Sequence, residues 1–251
     1  MITLLLSSLP MFACGFWAVL IGCTLYFDGR NRGYLMLFLF MVMASLLYAG
    51  HCAFLNHFYS DMPVLDSLYS FANLAVYPLF YVYIVSMTSP ESQLRHTWLY
   101  FIPSAVIGIM VSAIYIMMPP QELDSFVRII SYNEDFGSGT GLCKMMGYTR
   151  LAAKAVFAIE VVAVLIAGSR KISAYNKSIE AYYADTEGKK LTAFQWYMYL
   201  FTACSLASII FNFIGRSRFD SSAWMMAIPS LLFSSLLFGL GFIGFRQSFT
   251  I

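Results

Sequence analysis

The sequence predicts an all-α polytopic membrane protein, a seven-transmembrane-helix bundle with its N-terminus outside and its C-terminus cytoplasmic. Three observations predict it. Of the 251 residues, 60% are hydrophobic and 11% charged, whereas a soluble domain carries about 45–50% apolar and about 25% charged residues. Much of any water-soluble globule's area must face water, so no such globule could hide this much apolar surface. Apolar runs near the roughly 20 residues that a helical span needs recur seven times. The basic residues are distributed unequally between the two sets of connections, which sets the orientation.

The runs lie at about 4–27, 33–58, 64–87, 97–118, 151–168, 191–214 and 222–245, in a single domain covering 1–251. They are long and continuous, which favours helices over the ten-residue alternating segments of a barrel. The first continues past Pro10 with no basic segment before it, so it reads as a span and not a cleavable leader. Pro78 should kink the third helix, and Pro103 and Pro229 are kink candidates in the fourth and seventh. Ser89-Pro90-Glu91 is a helix-start signal ahead of the fourth. In the following connection, Leu123, Phe126, Val127 and Ile130 at helical spacing predict a short amphipathic helix that lies on the membrane or caps the bundle. The glycine-rich segment 135–141 requires backbone freedom. Lys154 and Glu160 interrupt the fifth run. Beyond it, Ile172, Tyr175, Ile179 and Tyr182 continue a helical stripe into the cytoplasm until residues 186–190 break it.

With the N-terminus outside, the inner segments hold nine basic residues and the outer segments five, the sense expected of the positive-inside bias. Arg128, Lys144, Arg150, Arg216 and Arg218 are the outer ones. The formal net charge of +2 is too small to imply a polyanion partner. The five cysteines form no C-x-x-C pair. Cys52 and Cys143 both fall on the oxidising side, which leaves open whether they pair.

Ionisable and polar residues inside a membrane are functional candidates. Asp66, Ser70, Asn73, Tyr77 and Tyr81 share one face of the third helix. Such a stripe meets either hydrogen-bonding neighbours within the bundle or a solvated, ligand-binding cavity. Ser205, Ser208 and Asn212 give the sixth helix a matching face, and Arg216 points the same way as Asn212, as a ligand contact or a snorkelling anchor. Lys154 either snorkels outward or pairs with Asp66 at similar depth. Glu160, six residues deeper, is the residue least easily explained as structure; it points roughly 120° away from Lys154 at ~100° per residue. His51 joins this outer-half cluster.

Catalysis and cofactors are not expected. The zinc-dependent seven-span hydrolases carry histidines on the last span, where this chain has none, so no metal site is expected. The last span also lacks the lysine that a retinal Schiff base requires. No serine lies in a G-x-S-x-G motif or near a plausible base.

Short segments in order along the whole chain resemble the seven-span N-terminal sensor region of membrane-bound AraC-type (helix-turn-helix) transcription regulators of Bacteroides-like bacteria. They are Leu9-Pro10-x-Phe12-x-Cys14-Gly15, Asp66-Ser67-Leu68-Tyr69, Val76-Tyr77-Pro78-Leu79-Phe80-Tyr81-Val82-Tyr83, Asp185-Thr186-Glu187-Gly188-Lys189, Gly215-Arg216-Ser217 and Ile228-Pro229-Ser230. The resemblance implies a bacterial inner (cytoplasmic) membrane location and a signal passed to a C-terminal cytoplasmic DNA-binding domain of roughly 100 residues with two helix-turn-helix motifs. That domain is absent from this chain, which ends at Ile251, so the chain alone is not expected to bind nucleic acid.

The expected function is therefore a membrane sensor of a small molecule or lipid. Its site would lie between the third, fifth and sixth helices, with polar contacts from Asp66, Asn73, Tyr77, Lys154, Glu160, Asn212 and Arg216. A small seven-helix transporter is the alternative. The absence of an internal repeat and the apolar inner ends of the third and sixth spans count against it. The expected partners are membrane lipids, the ligand and a second copy of the chain, the last through the small-residue pairs Gly108/Ser112 and Ala203/Ala207.

Overall fold

The computed structural model describes residues 2–27, 31–89, 97–133, 136–137, 139, 141–182, 191–214 and 223–246, apart from the side chains of 193, 211, 212, 214 and 223–225. Every regular element among them is helical. They are α1 (Ile2–Phe27), α2 (Arg32–Leu55), α3 (Met62–Thr88), α4 (Ile102–Met117), α5 (Pro120–Ser125), α6 (Ser131–Asn133), α7 (Gly141–Tyr182), α8 (Thr192–Ile214) and α9 (Ala223–Arg246). A 3-10 turn, Thr97–Phe101, leads into α4, and a π-helical turn, Phe126–Ile130, joins α5 to α6.

Six of these helices are long and apolar enough to cross a membrane, and α8 contributes a shorter apolar stretch, Phe194–Ile210. These are the helices of a membrane protein. Their outer faces carry Phe12, Val19, Ile109, Ile116, Ile159 and Ile228, each more than half exposed. Lipid tails are the natural solvent for such a face, and water is not.

Capping and proline chemistry set several boundaries. Asn31 opens α2 by accepting from the Gly33 amide at 2.9 Å, which satisfies one of the donors a helix start leaves orphaned. Pro63 and Pro103 stand in the first turns of α3 and α4, where proline's missing N–H costs no hydrogen bond. Pro103 therefore begins its helix instead of kinking it. Pro78 and Pro229 do lie inside their helices. The start signal at Ser89-Pro90-Glu91 reaches into residues outside those described, as does the helix break at 186–190.

The bundle is organised around α3. Of its most apolar stretch 78% is buried, against 28–39% for the other candidate spans. α2 and α4 flank it, α7 crosses it, and α1 and α9 pack together beside α2. Gly108 of α4 lies against Phe71 of α3, where an added Cβ would come within 2.9 Å of the Phe71 Cβ. That small residue thus serves packing within the chain.

One end of the bundle is covered. Phe126 and Val127 are buried, with Leu123 and Ile130 packed beside them, so the expected amphipathic segment caps the bundle. Tyr132 fixes the cap by donating to the Phe54 carbonyl at 2.7 Å and stacking on the Phe54 ring at 4.4 Å. At the opposite end, Tyr34 donates to the Phe245 carbonyl at 3.0 Å, tying α2 to α9.

The fifth apolar run belongs to a 42-residue helix, α7, of about 63 Å. It extends past the run on both sides, as expected toward Tyr182, and also by ten residues toward the cap, where the sequence reads as loop. Asn176 accepts from the Leu191 amide at 2.8 Å and donates to Gln195 at 3.0 Å. One side chain thus fixes the start of α8 against the α7 extension.

Candidate functional site

The polar face of α3 begins beneath the cap with Asp66, which is 3% exposed. A buried carboxylate needs partners, and Asp66 has them on two other helices. Arg150 of α7 donates to its Oδ2 at 2.8 Å, and Tyr115 of α4 donates to the same oxygen at 2.9 Å. Arg150 also donates to the Ser131 hydroxyl of α6 at 3.0 Å. Its guanidinium lies 5.4 Å from the ring centres of both Phe126 and Phe136, within cation–π range. A planar fork can make all these contacts together, which a lysine ammonium cannot. One ion pair thereby ties α3, α4, α6 and α7 together.

Arg150, which the sequence did not single out, is thus a partner of Asp66. It sits one helical turn nearer the cap than Lys154. The sequence places it in an outer loop, so its role was not anticipated. The signal that could have found it is the i, i+4 spacing from Arg150 to Lys154, which puts both on the α3-facing side of one helix.

A pocket of about 650 Å³ opens beside this pair. Asp66, Ser70 and Asn73 of α3, and Lys144, Arg150 and Lys154 of α7, line it with Ser131, Phe136 and Tyr148. Deeper lies a chamber of about 220 Å³, many times what one water requires. Its walls come from α1, α2, α3, α7, α8 and α9, mostly from apolar side chains such as Phe40, Val76, Phe157, Phe201, Phe233 and Leu237. Its polar groups include Tyr48, His51, Tyr77 and Ser208. Tyr69 and Asn73 line both spaces.

The expected site residues fall into four groups. Asp66, Asn73 and Lys154 line the outer pocket. Tyr77, 7% exposed, lines the chamber and donates to Ser205 of α8 at 2.9 Å, so the α3 and α8 polar faces do meet. Glu160 lines neither space; both its carboxylate oxygens are buried and without a hydrogen-bond partner among the described residues. The Asn212 side chain and Arg216 lie outside the described residues. The site expected between the third, fifth and sixth helices is thus two spaces: one between α3, α7 and the cap, and one bounded by six helices.

His51, named with the outer cluster, packs edge-on against Tyr69 at 4.9 Å between ring centres. Cys52 and Cys143 are separate thiols, both buried. Cys52 contacts Ser7 and Asn56, while Cys143 donates to Glu122 at 3.2 Å. Among the described residues, no three histidine, cysteine, aspartate or glutamate side chains converge as a metal site would require.

Compared with protein-family models, curated proteins and solved structures, the chain matches none.

Proposed function

We propose that this chain is a seven-helix sensor module of the bacterial inner membrane, with the capped end outside and α8 completing the seven spans. A small molecule or lipid enters from the capped side, and its occupancy is passed through α9 to a cytoplasmic DNA-binding domain. That domain is the one borne by the membrane-bound AraC-type regulators that the chain resembles. The observation that carries this reading is that α9 walls the chamber. Met226, Pro229, Ser230, Phe233, Leu236 and Leu237 all line it, so a ligand lying there touches the helix that leads to the C-terminus. A ligand shifts a conformational equilibrium only through differential contacts with the two states, and α9 can make such contacts.

Beneath the chamber, Phe80, Tyr83, Phe194 and Met198 are all buried and form a dense layer. Transport needs polar access from both sides, so this layer supports a receptor over a permease.

Two experiments test the reading. Alkaline phosphatase, active only outside the cytoplasm, should be inactive when fused after Arg246 and active when inserted at 137–140. In the second, the full chain is fused to a DNA-binding domain that drives a fluorescent reporter. Leu237→Trp, which fills the chamber, should then shift output at least threefold in either direction. Unchanged output from well-expressed Leu237→Trp and Phe233→Trp variants would overturn the proposed coupling.

A further inference from the structure

The chamber bounded by six helices is lined without a full charge. Among the described residues around it there is no aspartate, glutamate, lysine or arginine. Its one histidine, His51, packs against the rings of Tyr48 and Tyr69. An ion drawn into such a space gives up its water and meets no opposite charge, which is costly. The wall is also rich in rings. Phe40, Phe157, Phe201 and Phe233 reach it from α2, α7, α8 and α9. Aromatic rings pack stacked or edge-on, and such pairs gain more than area burial alone. A flat guest ring can meet walls on several sides in these geometries. An apolar cavity of about 150 Å³ holds benzene. At about 220 Å³, the chamber matches one substituted ring or two fused ones.

The polar groups of the lining differ in what they have left to offer. Tyr77 donates to Ser205, Ser208 to the Cys204 carbonyl at 3.0 Å, and Ser230 to the Leu6 carbonyl. The Tyr48 hydroxyl and the Asn73 amide also line the chamber, and neither has a hydrogen-bond partner among the described residues. A polar group left unpaired away from water costs free energy. Each of these two can both donate and accept, so a hydroxyl or a ring N–H on a guest answers either.

We infer that the chamber takes a neutral aromatic molecule of one or two rings that carries one hydroxyl or ring N–H. The polar group bonds to Tyr48 or Asn73, and the ring lies among Phe157, Phe201 and Phe233. The inference rests on reading the chamber as the ligand site of the proposed sensor.

The test measures binding of tritiated 2-naphthol to the full chain in phosphatidylcholine nanodiscs, with empty nanodiscs as the background. One saturable site per chain is expected, and indole and 4-ethylphenol should compete for it. Naphthalene, which lacks the polar group, should compete about threefold to tenfold more weakly, the worth of one hydrogen bond. The ionised 2-naphthoate should be weaker still. The double variant Tyr48→Phe/Asn73→Leu should weaken 2-naphthol to the level of naphthalene and leave naphthalene itself unchanged, which also reports that the chamber is still formed. Leu237→Trp and Phe233→Trp, which fill the chamber, should abolish the saturable component. No saturable binding of 2-naphthol, indole or 4-ethylphenol overturns the inference. Binding that survives both tryptophan variants overturns the chamber as its place. Equal competition by 2-naphthoate overturns the neutral guest and makes His51 its counter-charge. An unaffected double variant overturns the polar contact, and equal competition by dodecanol overturns the ring in favour of a lipid-like chain. A chain that binds none of these probes, yet changes reporter output with Leu237→Trp, keeps the sensor reading and loses this inference. Binding as expected with unmoved reporter output does the reverse.

Discussion

The outer pocket and the chamber share the wall of α3, yet they handle polarity in opposite ways. In the pocket, Asp66 is answered by groups from three other parts of the chain: Arg150, Tyr115 and, through Arg150, Ser131. In the chamber, Tyr77 donates to a neutral group, the Ser205 hydroxyl of α8. A full charge inside a membrane protein is costly unless several elements converge to satisfy it. A hydroxyl needs far less. The cap explains why the charged site sits where it does, since it brings Ser131 and Phe126 over Arg150 at a depth that spanning helices alone would leave to lipid or water.

The contrast can be broken most forcefully at the ion pair. Asp66→Ala strands a buried guanidinium, and loss of one partner of a buried pair costs about 3–5 kcal/mol. A lower thermal midpoint in detergent should report it. The double substitution Asp66→Leu/Arg150→Met should recover most of that loss, because a buried pair replaced by apolar groups is often close to neutral. For this reason Asp66→Ala cannot separate binding from folding. On the chamber side, Leu237→Ala should cost about 2 kcal/mol, the low end for a buried leucine, because the surroundings are apolar and already open. The same thermal melts would show it. Tyr77→Phe removes one interhelical hydrogen bond and should cost only about 0.6 kcal/mol, measured best by a double-mutant cycle with Ser205→Ala. Smallest of all, Lys144→Gln alters an exposed cation and should stay within about 0.5 kcal/mol of the parent. If Lys144→Gln destabilised the protein as much as Asp66→Ala, the division between structural and available charges in the pocket would collapse.

Much of this arrangement was legible in the residue pattern. The spacing of Asp66, Ser70, Asn73 and Tyr77 marks one face of α3, and that face does line both spaces. The same period on the sixth run placed Ser205 opposite it, where Tyr77 finds it. Leu123, Phe126, Val127 and Ile130 marked the cap. What hydropathy could not reveal was Arg150 as a partner of Asp66. A hydropathy run measures the lipid-facing part of a helix, and α7 begins ten residues before its run. Arg150 therefore passed for a loop charge, and Lys154 was the nearest cation within the run. Glu160 shows a related limit. Its depth follows from residue count, but the neighbours on its side depend on how α7 is rotated against α3 and α4, which sequence spacing on α7 alone does not fix.

The unbroken length of α7 has a mechanical consequence. Its fully buried side chains, Cys143, Met146, Val161 and Ile172, are spread along its length, with Val161 nearest the middle. From there Arg150 lies about 17 Å toward the cap and Tyr182 about 32 Å the other way, at 1.5 Å per residue. A stiff rod pivoting at that point is a lever with unequal arms. A shift of about 1 Å at Arg150 would then become about 2 Å at the far tip. Asn176, bonded to the Leu191 amide and to Gln195, sits on that longer arm and would carry α8 with it.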